Sequence, residues 1–498
     1  MITVRSWAIL GMSCALNACT VGPDYQKPTL EMPAKWTLES PWRVSTPKDD
    51  APKGAWWLKF NDAQLNVLQE KAIANNPTLA VATGRWELAR SALNAATAAL
   101  YPQMSANIAE TRARISSQRA LTQNDKPLYT TTQSETKPVL GVSYEADISG
   151  RVKRTLELSA ASSEQVRADL ENIRLLVSAD LATAYFNLRA VDIEIDVLSR
   201  SIALQRRALD LANARHDLGA TSGIEVSQQQ ALIDSTLTQV DILKRQRGQF
   251  EHAIATLIGT PAPSFSLPAM VTLLNPPKVS IGVPSDLLER RPDVAGAERA
   301  MAAANAQVGI STAAYYPSFT LTSTYGSQSR DDSTLFSGPA FIWSIGSSLV
   351  QPIFDGGRIA ANIKSSKISY DMAVSSYRRV VLTAMQEVED GITGMTALER
   401  AHTQATAATA SAQKVLNLAN ARYEGGVASY LEVITAQQAL LVSQRLVAQL
   451  VGQRLLNAVF LIKALGGDFE GMSQARTEAN TPSEQQTAKE PALRLVSQ

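Results

Sequence analysis

Apolar positions along this chain follow two regimes, the three-four spacing of a helix face and the two-residue spacing of a strand, and the pair of regimes occurs twice. From Lys153 to His216 there is neither proline nor glycine. Leu181, Ala184, Leu188, Val191, Ile195, Leu198, Ile202, Gln205, Leu209, Ala212 and His216 keep strict three-four spacing, the heptad signature of a left-handed coiled coil. Those 64 residues predict a rod of roughly 95 Å at about 1.5 Å each. A second stretch from Arg358 to about Tyr423 is as long, with a weaker heptad interrupted by Gly391 and Gly394. Returning helices are predicted over Ile224 to Ile258 and Tyr430 to Leu465, and in the latter Ile434, Leu441, Ala448, Leu455 and Ile462 recur every seven residues. Upstream, Leu65, Leu68, Ala72 and Ile73 mark a short amphipathic helix ending at Asn75-Asn76, with Pro77 opening the next.

Period two takes over after Tyr101-Pro102. Met104, Ala106 and Ile108 alternate with Ser105 and Asn107, and Leu140, Val142, Tyr144 and Ala146 alternate with Gly141, Ser143, Glu145 and Asp147. The polar stretch from Ser116 to Lys137 reads as a long loop joining the two strands. In the second set Phe319, Leu321 and Tyr325 share one parity, and Phe341, Trp343, Ile345 and Leu349 share one parity of the next strand. No charge occurs between Asp332 and Asp355, so a transmembrane helix must be weighed; Gly338, Pro339, Gly346, Pro352 and the period-two alternation argue for strands instead. A soluble sheet with one buried face would also alternate. The aromatic-rich parity Phe319, Leu321, Tyr325, Phe341, Trp343 and Ile345, beside a small polar one, is what a lipid-facing barrel strand requires, and those six are expected on the outer face.

The recurrence is a duplication. Leu211-Ala212-Asn213-Ala214-Arg215 returns unchanged as Leu418-Ala419-Asn420-Ala421-Arg422, offset by 207 residues, and Gly219, Glu225, Val226, Gln230 and Gly259 meet Gly426, Glu432, Val433, Gln437 and Gly466. Further upstream the offset is 215, aligning Asn76-Pro77 with Arg291-Pro292 and Leu100-Tyr101-Pro102 with Tyr315-Tyr316-Pro317. The expected organisation is a signal peptide over 1–18, an N-terminal arm over 19–75, a first repeat over 76–259, a linker over 260–290, a second repeat over 291–466 and a polar tail over 467–498, expected to be disordered. Each repeat holds a helix, a strand pair and a long helical hairpin.

Charge narrows the function. With 47 basic and 46 acidic residues the net charge is +1, and no basic tract is interleaved with aromatics, so nucleic acid is not an expected partner. His216, His252 and His402 are far apart without zinc spacing, there is no nucleophile elbow or phosphate loop, and Ser411 with Lys414 lies within a rod. The chain does not read as an enzyme, and no metal or cofactor is expected. At the N-terminus Arg5, the apolar run Trp7 to Leu16 and the box Leu16-Asn17-Ala18-Cys19 resemble a bacterial lipoprotein signal. That resemblance implies a covalent lipid on Cys19, and Thr20 after it favours the outer membrane.

Four membrane strands cannot close a barrel, because each open edge leaves backbone groups unsatisfied in lipid. Known barrels start at about eight strands, so the strands must come from several chains; two copies would give eight and three twelve, and the wider one is expected because it can continue into a hollow bundle of rods. Cys19-Thr20-Val21-Gly22-Pro23-Asp24-Tyr25, Trp56-Trp57 with Phe60-Asn61-Asp62, Asp286 to Asp293, Pro352 to Arg358 and Glu387-Val388-Glu389-Asp390 resemble the recurrent motifs of the TolC-type outer membrane efflux proteins, lipoprotein branch. The similarity covers about residues 19–467. It implies a mostly α fold of long coiled-coil hairpins with four membrane β-strands per protomer. A homotrimer would complete a twelve-stranded barrel in the outer membrane, continued by an α-barrel in the periplasm. It implies work with a periplasmic adaptor and an inner membrane pump to expel drugs or other small toxic compounds. It further implies that Glu225 and Glu432 are acidic positions of a periplasmic aperture and that Tyr423 bonds Glu225 of the neighbouring turn, while Ala428 and Thr435 replace charged residues of relatives. A periplasmic coiled-coil adaptor or structural lipoprotein is the alternative, but it has no need of lipid-facing strands.

Overall fold

The computed structural model describes residues 23–26, 54–117, 130–272, 275–277 and 291–467. The signal peptide, Cys19, most of the arm, Asp286 to Arg290 and the tail from 468 lie outside the described residues. In chain order come α1 (Ala63–Asn75), α2 (Pro77–Ala98), β1 (Gln103–Ile115), β2 (Thr131–Ala146), α3 (Arg151–Asp217) and α4 (Gly223–Leu257). The second copy supplies α5 (Pro292–Ala313), β3 (Ser318–Ser327), β4 (Phe341–Val350), α6 (Arg358–Glu424) and α7 (Tyr430–Ala464). Both α3 and α6 run 67 residues, and both α4 and α7 run 35.

Two compact units divide the chain, and neither is a repeat. One takes residues 23–26, Ala82–Leu170 and Asp293–Val380; the other takes residues 54–81, Glu171–Pro292 and 381–467. Each unit therefore draws segments from both copies.

Among the described residues the first unit holds one antiparallel sheet in the order β1-β2-β3-β4. The two strand pairs are joined through β2 and β3, with Ala146 opposite Phe319 and Leu140 opposite Tyr325. The polar stretch expected as loop is shorter than its composition suggests: Thr131–Lys137 belongs to β2 and pairs with Ala109–Ile115 of β1. Side chains there are polar on both faces, so the backbone ladder alone carries the strand onward. At the sheet's exit Asp147 accepts from the Val152 and Lys153 amides at 3.0 and 2.8 Å, opening α3. Asp355 does the same for Gly357 and Ile359 ahead of α6. The Ile359 amide, with the helix terminus behind it, holds the Asp355 carboxyl below the usual range. Residues 23–26 dock in this unit: Asn305 Nδ2 donates to Pro23 O at 3.0 Å, and the buried Arg154 guanidinium pairs with Asp24 at 2.9 Å and Glu157 at 2.7 Å.

The second unit is built on α3. Trp56, Trp57 and Phe60, in a short 3-10 turn, are buried with Leu65, Leu68 and Ala72 of α1 against Leu181, Tyr185, Phe186 and Leu188, and Phe60 meets Phe186 at 4.7 Å. Ile73, expected on the apolar face of α1, is half exposed; Gln69 takes the buried place because its Nε2 donates to Ser178 O at 2.8 Å. Asp62 caps α1 through the Gln64 and Leu65 amides and accepts the Tyr185 hydroxyl at 2.6 Å. The heptad positions Leu181, Leu188, Val191, Leu198, Ile202 and Ala212 are buried. Further along, Val191, Leu198 and Ile202 pack with Val240 and Leu243 of α4 and Leu441 of α7. Helix α7 is long and apolar enough to cross a membrane, but half of its most apolar window is buried in this packing.

Equivalent joints close the two hairpins. Asn76 Nδ2 donates to Leu257 O at 2.7 Å, and Arg291 Nη1 donates to Ala464 O at 3.1 Å while pairing with Glu387 at 2.6 Å. In each copy the residue before the proline thus satisfies a carbonyl at the end of the returning helix. Gly259, beyond the first joint, has φ +69°, and a Cβ there would lie 2.4 Å from Asn75 O; Gly219 has the same φ with open space around it. A side chain at positive φ costs roughly 1–2 kcal/mol. Gly219→Ala is expected to show that cost alone in thermal unfolding of the detergent-solubilised protein, and Gly259→Ala a loss at least twice as large; equal losses would show that the joint yields without strain.

Candidate functional site

Two features of the fold bear on function, the faces of the sheet and the paired turns at the ends of the hairpins. Cross-strand partners project to one face. The register puts Phe319 beside Leu349 and Ala146, Leu321 beside Tyr144, and Tyr325 beside Trp343 and Leu140. Phe341 stands opposite Ser327 and Ile345 opposite Ser323, so all six residues expected on the outer face share it. Met104, Ala106 and Ile108 of β1 extend it through Val142, Leu140 and Pro138. Met104, Ile108, Trp343 and Ile345 are each mostly exposed. Tyr325 and Phe341 meet edge-on at 4.9 Å. The opposite face is mostly small and polar, with Ser105, Asn107, Gly141, Ser143, Thr320, Thr322, Thr324, Ser344, Gly346 and Ser348 beside the apolar Val139, Ile342 and Val350, and the Thr324 and Ser344 hydroxyls lie 2.7 Å apart. An apolar band spanning four strands, exposed in the chain and backed by hydroxyls, suits hydrocarbon on one side and water on the other.

The turns repeat atom for atom. After α3 the Gly219 amide donates to His216 O at 2.8 Å and the Ala220 amide to Arg215 O at 2.8 Å; after α6 the Gly426 amide donates to Tyr423 O and the Val427 amide to Arg422 O, both at 3.0 Å. Gly219 and Gly426 take φ +69° and +74°, the left-handed residue that ends a helix in this way. Ser222 caps α4 through the Ile224 amide, whereas Ser429 precedes α7 without a side-chain cap. Glu225 and Glu432 thus stand in the first turns of α4 and α7, where the helix terminus favours negative charge.

The structure brings Tyr423 and Glu225 together and leaves Glu432 apart. The Tyr423 hydroxyl donates to Glu225 Oε2 at 2.7 Å, tying the second turn to the first. Burial, and then the bond to Glu225, push the Tyr423 phenol above its ordinary value. Glu432 pairs instead with Arg422 at 3.4 Å, both about half exposed, so its charge is partly compensated within its own turn. Sequence reasoning missed the surroundings of the link. Arg215 lies over the Tyr423 ring at 4.7 Å, and Tyr430 packs against that ring at 5.0 Å. The Tyr430 hydroxyl donates to Gln229 Oε1 at 2.9 Å, and Gln229 Nε2 to Gln205 O at 2.9 Å. Tyr430 lies seven residues after Tyr423 and Arg215 sits in the repeated pentapeptide; those were the available signals.

Residues 68–260 and 283–467 match the family profile described as outer membrane efflux protein. The chain belongs to the outer membrane efflux protein family. Relatives include a toluene efflux pump outer membrane protein, TtgC of Pseudomonas putida, 30% identical over 475 residues covering 93% of this chain and 96% of the relative. The cation efflux system protein CusC of Escherichia coli O157:H7 is 28% identical over 465 residues, covering 92% and 98%. Among solved structures, the outer-membrane channel OprN has a TM-score of 0.81 at 26% identity, covering 90% of this chain and 99% of that one. The open-state MtrE outer membrane channel of Neisseria gonorrhoeae has a TM-score of 0.78 at 26% identity, covering 90% and 98%. This protein is therefore the outer membrane channel of a tripartite efflux system, mostly helical with a β part, and reaches into the periplasm.

Burial pushes the Tyr430 phenol up to about 12. Because the folded value exceeds the unfolded one of about 10, the stability it confers is complete below that pH and is lost as pH rises toward 12. Against Tyr430→Phe, the wild type is expected to hold a constant advantage in thermal midpoint up to about pH 10 and to lose it above; a gap that stays constant to pH 12 would mean the phenol is not held neutral by the fold.

Proposed function

We propose that three copies join edge to edge, β4 of one beside β1 of the next, into a twelve-stranded barrel, anchored additionally by a lipid on Cys19 as in the lipoprotein branch of the family. The observation that carries this is the apolar face continuing across all four strands to two edges that have no partner among the described residues. Such edges are not tolerated in hydrocarbon, where each unsatisfied backbone group costs several kcal/mol. The channel works with a periplasmic adaptor and an inner membrane pump, and it conducts drugs or other small toxic compounds rather than transforming them. The relatives' names support export of solvent and cations by those proteins, and chain-wide similarity supports a comparable conduit here.

At the periplasmic end, the Tyr423–Glu225 link holds the second hairpin turn against the first and keeps the aperture narrow. Glu432, three copies per assembly, gives the constriction a cation preference, tempered by its pairing with Arg422.

Protein extracted from outer membranes in mild detergent is expected to run as a heat-modifiable trimer, with palmitate label lost in Cys19→Ser while the trimer persists. A folded monomer in micelles would remove the barrel, and label retained in Cys19→Ser would remove the lipid site. In planar bilayers, Tyr423→Phe is expected to raise conductance several-fold, the scale of losing a charged hydrogen bond of about 1.5–3 kcal/mol in part. Glu432→Ala is expected to lower the cation-to-anion permeability ratio. Unaltered conductance in the first variant, or unaltered selectivity in the second, would take that residue out of the aperture's action.

A further inference from the structure

Arg215 and Arg422 close the repeated pentapeptide, and their carbonyls accept the same turn amide in the two copies. Their guanidinium groups have nevertheless diverged. Arg422 stays within its own turn and pairs with Glu432. Arg215 crosses to the other hairpin and lies 4.7 Å over the ring of Tyr423. The difference follows from the next residue. Position 216 is histidine, whose Nδ1–H donates to Thr221 O at 3.1 Å inside the first turn, whereas its equivalent Tyr423 reaches out of the second turn to Glu225. The first turn therefore grips Tyr423 twice, with Arg215 on the ring face and Glu225 on the hydroxyl, while Tyr430 packs alongside at 5.0 Å.

We propose that Arg215 is a positioning residue for the channel's aperture, holding the Tyr423 ring so that its hydroxyl meets Glu225, and that the duplicated arginines have divided into this clasp and a charge partner for Glu432. The inference rests on the Tyr423–Glu225 link being the closure proposed above. A phenol bonded only at its tip can swing about its own side-chain torsions. A cation fixed over the ring removes that freedom and attracts the π face electrostatically, with no need for hydrogen-bond geometry. Lysine should serve in part and glutamine should not, because the contact requires charge over the ring rather than a donor.

The full-length channel, reconstituted in planar bilayers, tests this with Arg215→Gln, Arg215→Lys, Tyr423→Phe and the Arg215→Gln/Tyr423→Phe pair. Arg215→Gln is expected to raise conductance about two- to fivefold, the equilibrium shift that an exposed cation–ring contact supplies. Arg215→Lys is expected to fall between Arg215→Gln and wild type, and the double variant to be no leakier than Tyr423→Phe alone. Alkaline ultraviolet difference titration against Tyr423→Phe reads the contact separately: without the Arg215 cation the Tyr423 phenol is expected to ionise at higher pH. Multiplicative effects in the double variant, or an unmoved Tyr423 titration in Arg215→Gln, would overturn the proposal. If Tyr423→Phe itself leaves conductance unchanged, the closure falls with it, and the titration alone decides whether Arg215 holds the ring.

Discussion

Backbone N–H and C=O groups have to find partners wherever water is absent, and a sheet satisfies them only between its strands. Among the described residues the chain supplies four strands, with β1 and β4 each paired on one side. The face they share is apolar from Met104 to Trp343. A membrane protein with such a sheet is complete only in company. In the proposed trimer, the demand for neighbouring copies arises from the same ladder that holds the strands together.

Duplication shapes how the rest of the chain meets that demand. The copies do not fold as two side-by-side bodies: their strands combine in one unit and their hairpin turns in the other. Equivalent backbone devices recur in both, including the left-handed glycine of each turn and the donor that ends each returning helix. Side chains laid over those devices have drifted apart. His216 bonds within its own turn where Tyr423 reaches across, and Ser222 caps a helix where Ser429 does not. The shared scaffold keeps the geometry while the divergent side chains carry the connections between copies.

Much of this was legible from the chain of letters. Helix limits were readable to within about two residues because proline, glycine and capping residues mark them, as at Pro77, Gly219 and Gly426. The shared parity of the bulky residues of β3 and β4 was readable because they alternate with serine, threonine and glycine. Thr131–Lys137 was not, since a strand polar on both faces has no period to detect and is settled by its partner across the ladder. Ile73 and Gln69 exchanged places because a hydrogen bond from a buried amide outweighed simple patterning. The Tyr423–Glu225 link spans 198 residues of chain and came from family resemblance, since no local spacing encodes it. The roles of Arg215 and Tyr430 depend on which helix faces which, and a heptad says only which side of a helix is covered.

The two joints at the ends of the returning helices differ in kind. Asn76 holds Leu257 with a neutral amide, while Arg291 holds Ala464 with a cation that Glu387 must neutralise. The first joint carries no charge, while the second brings a cation and an anion together at a partly buried site. A swap of the two residues would therefore not be neutral: arginine in the first joint would bring a charge that asparagine does not, and asparagine in the second would leave Glu387 without the guanidinium it meets in this fold.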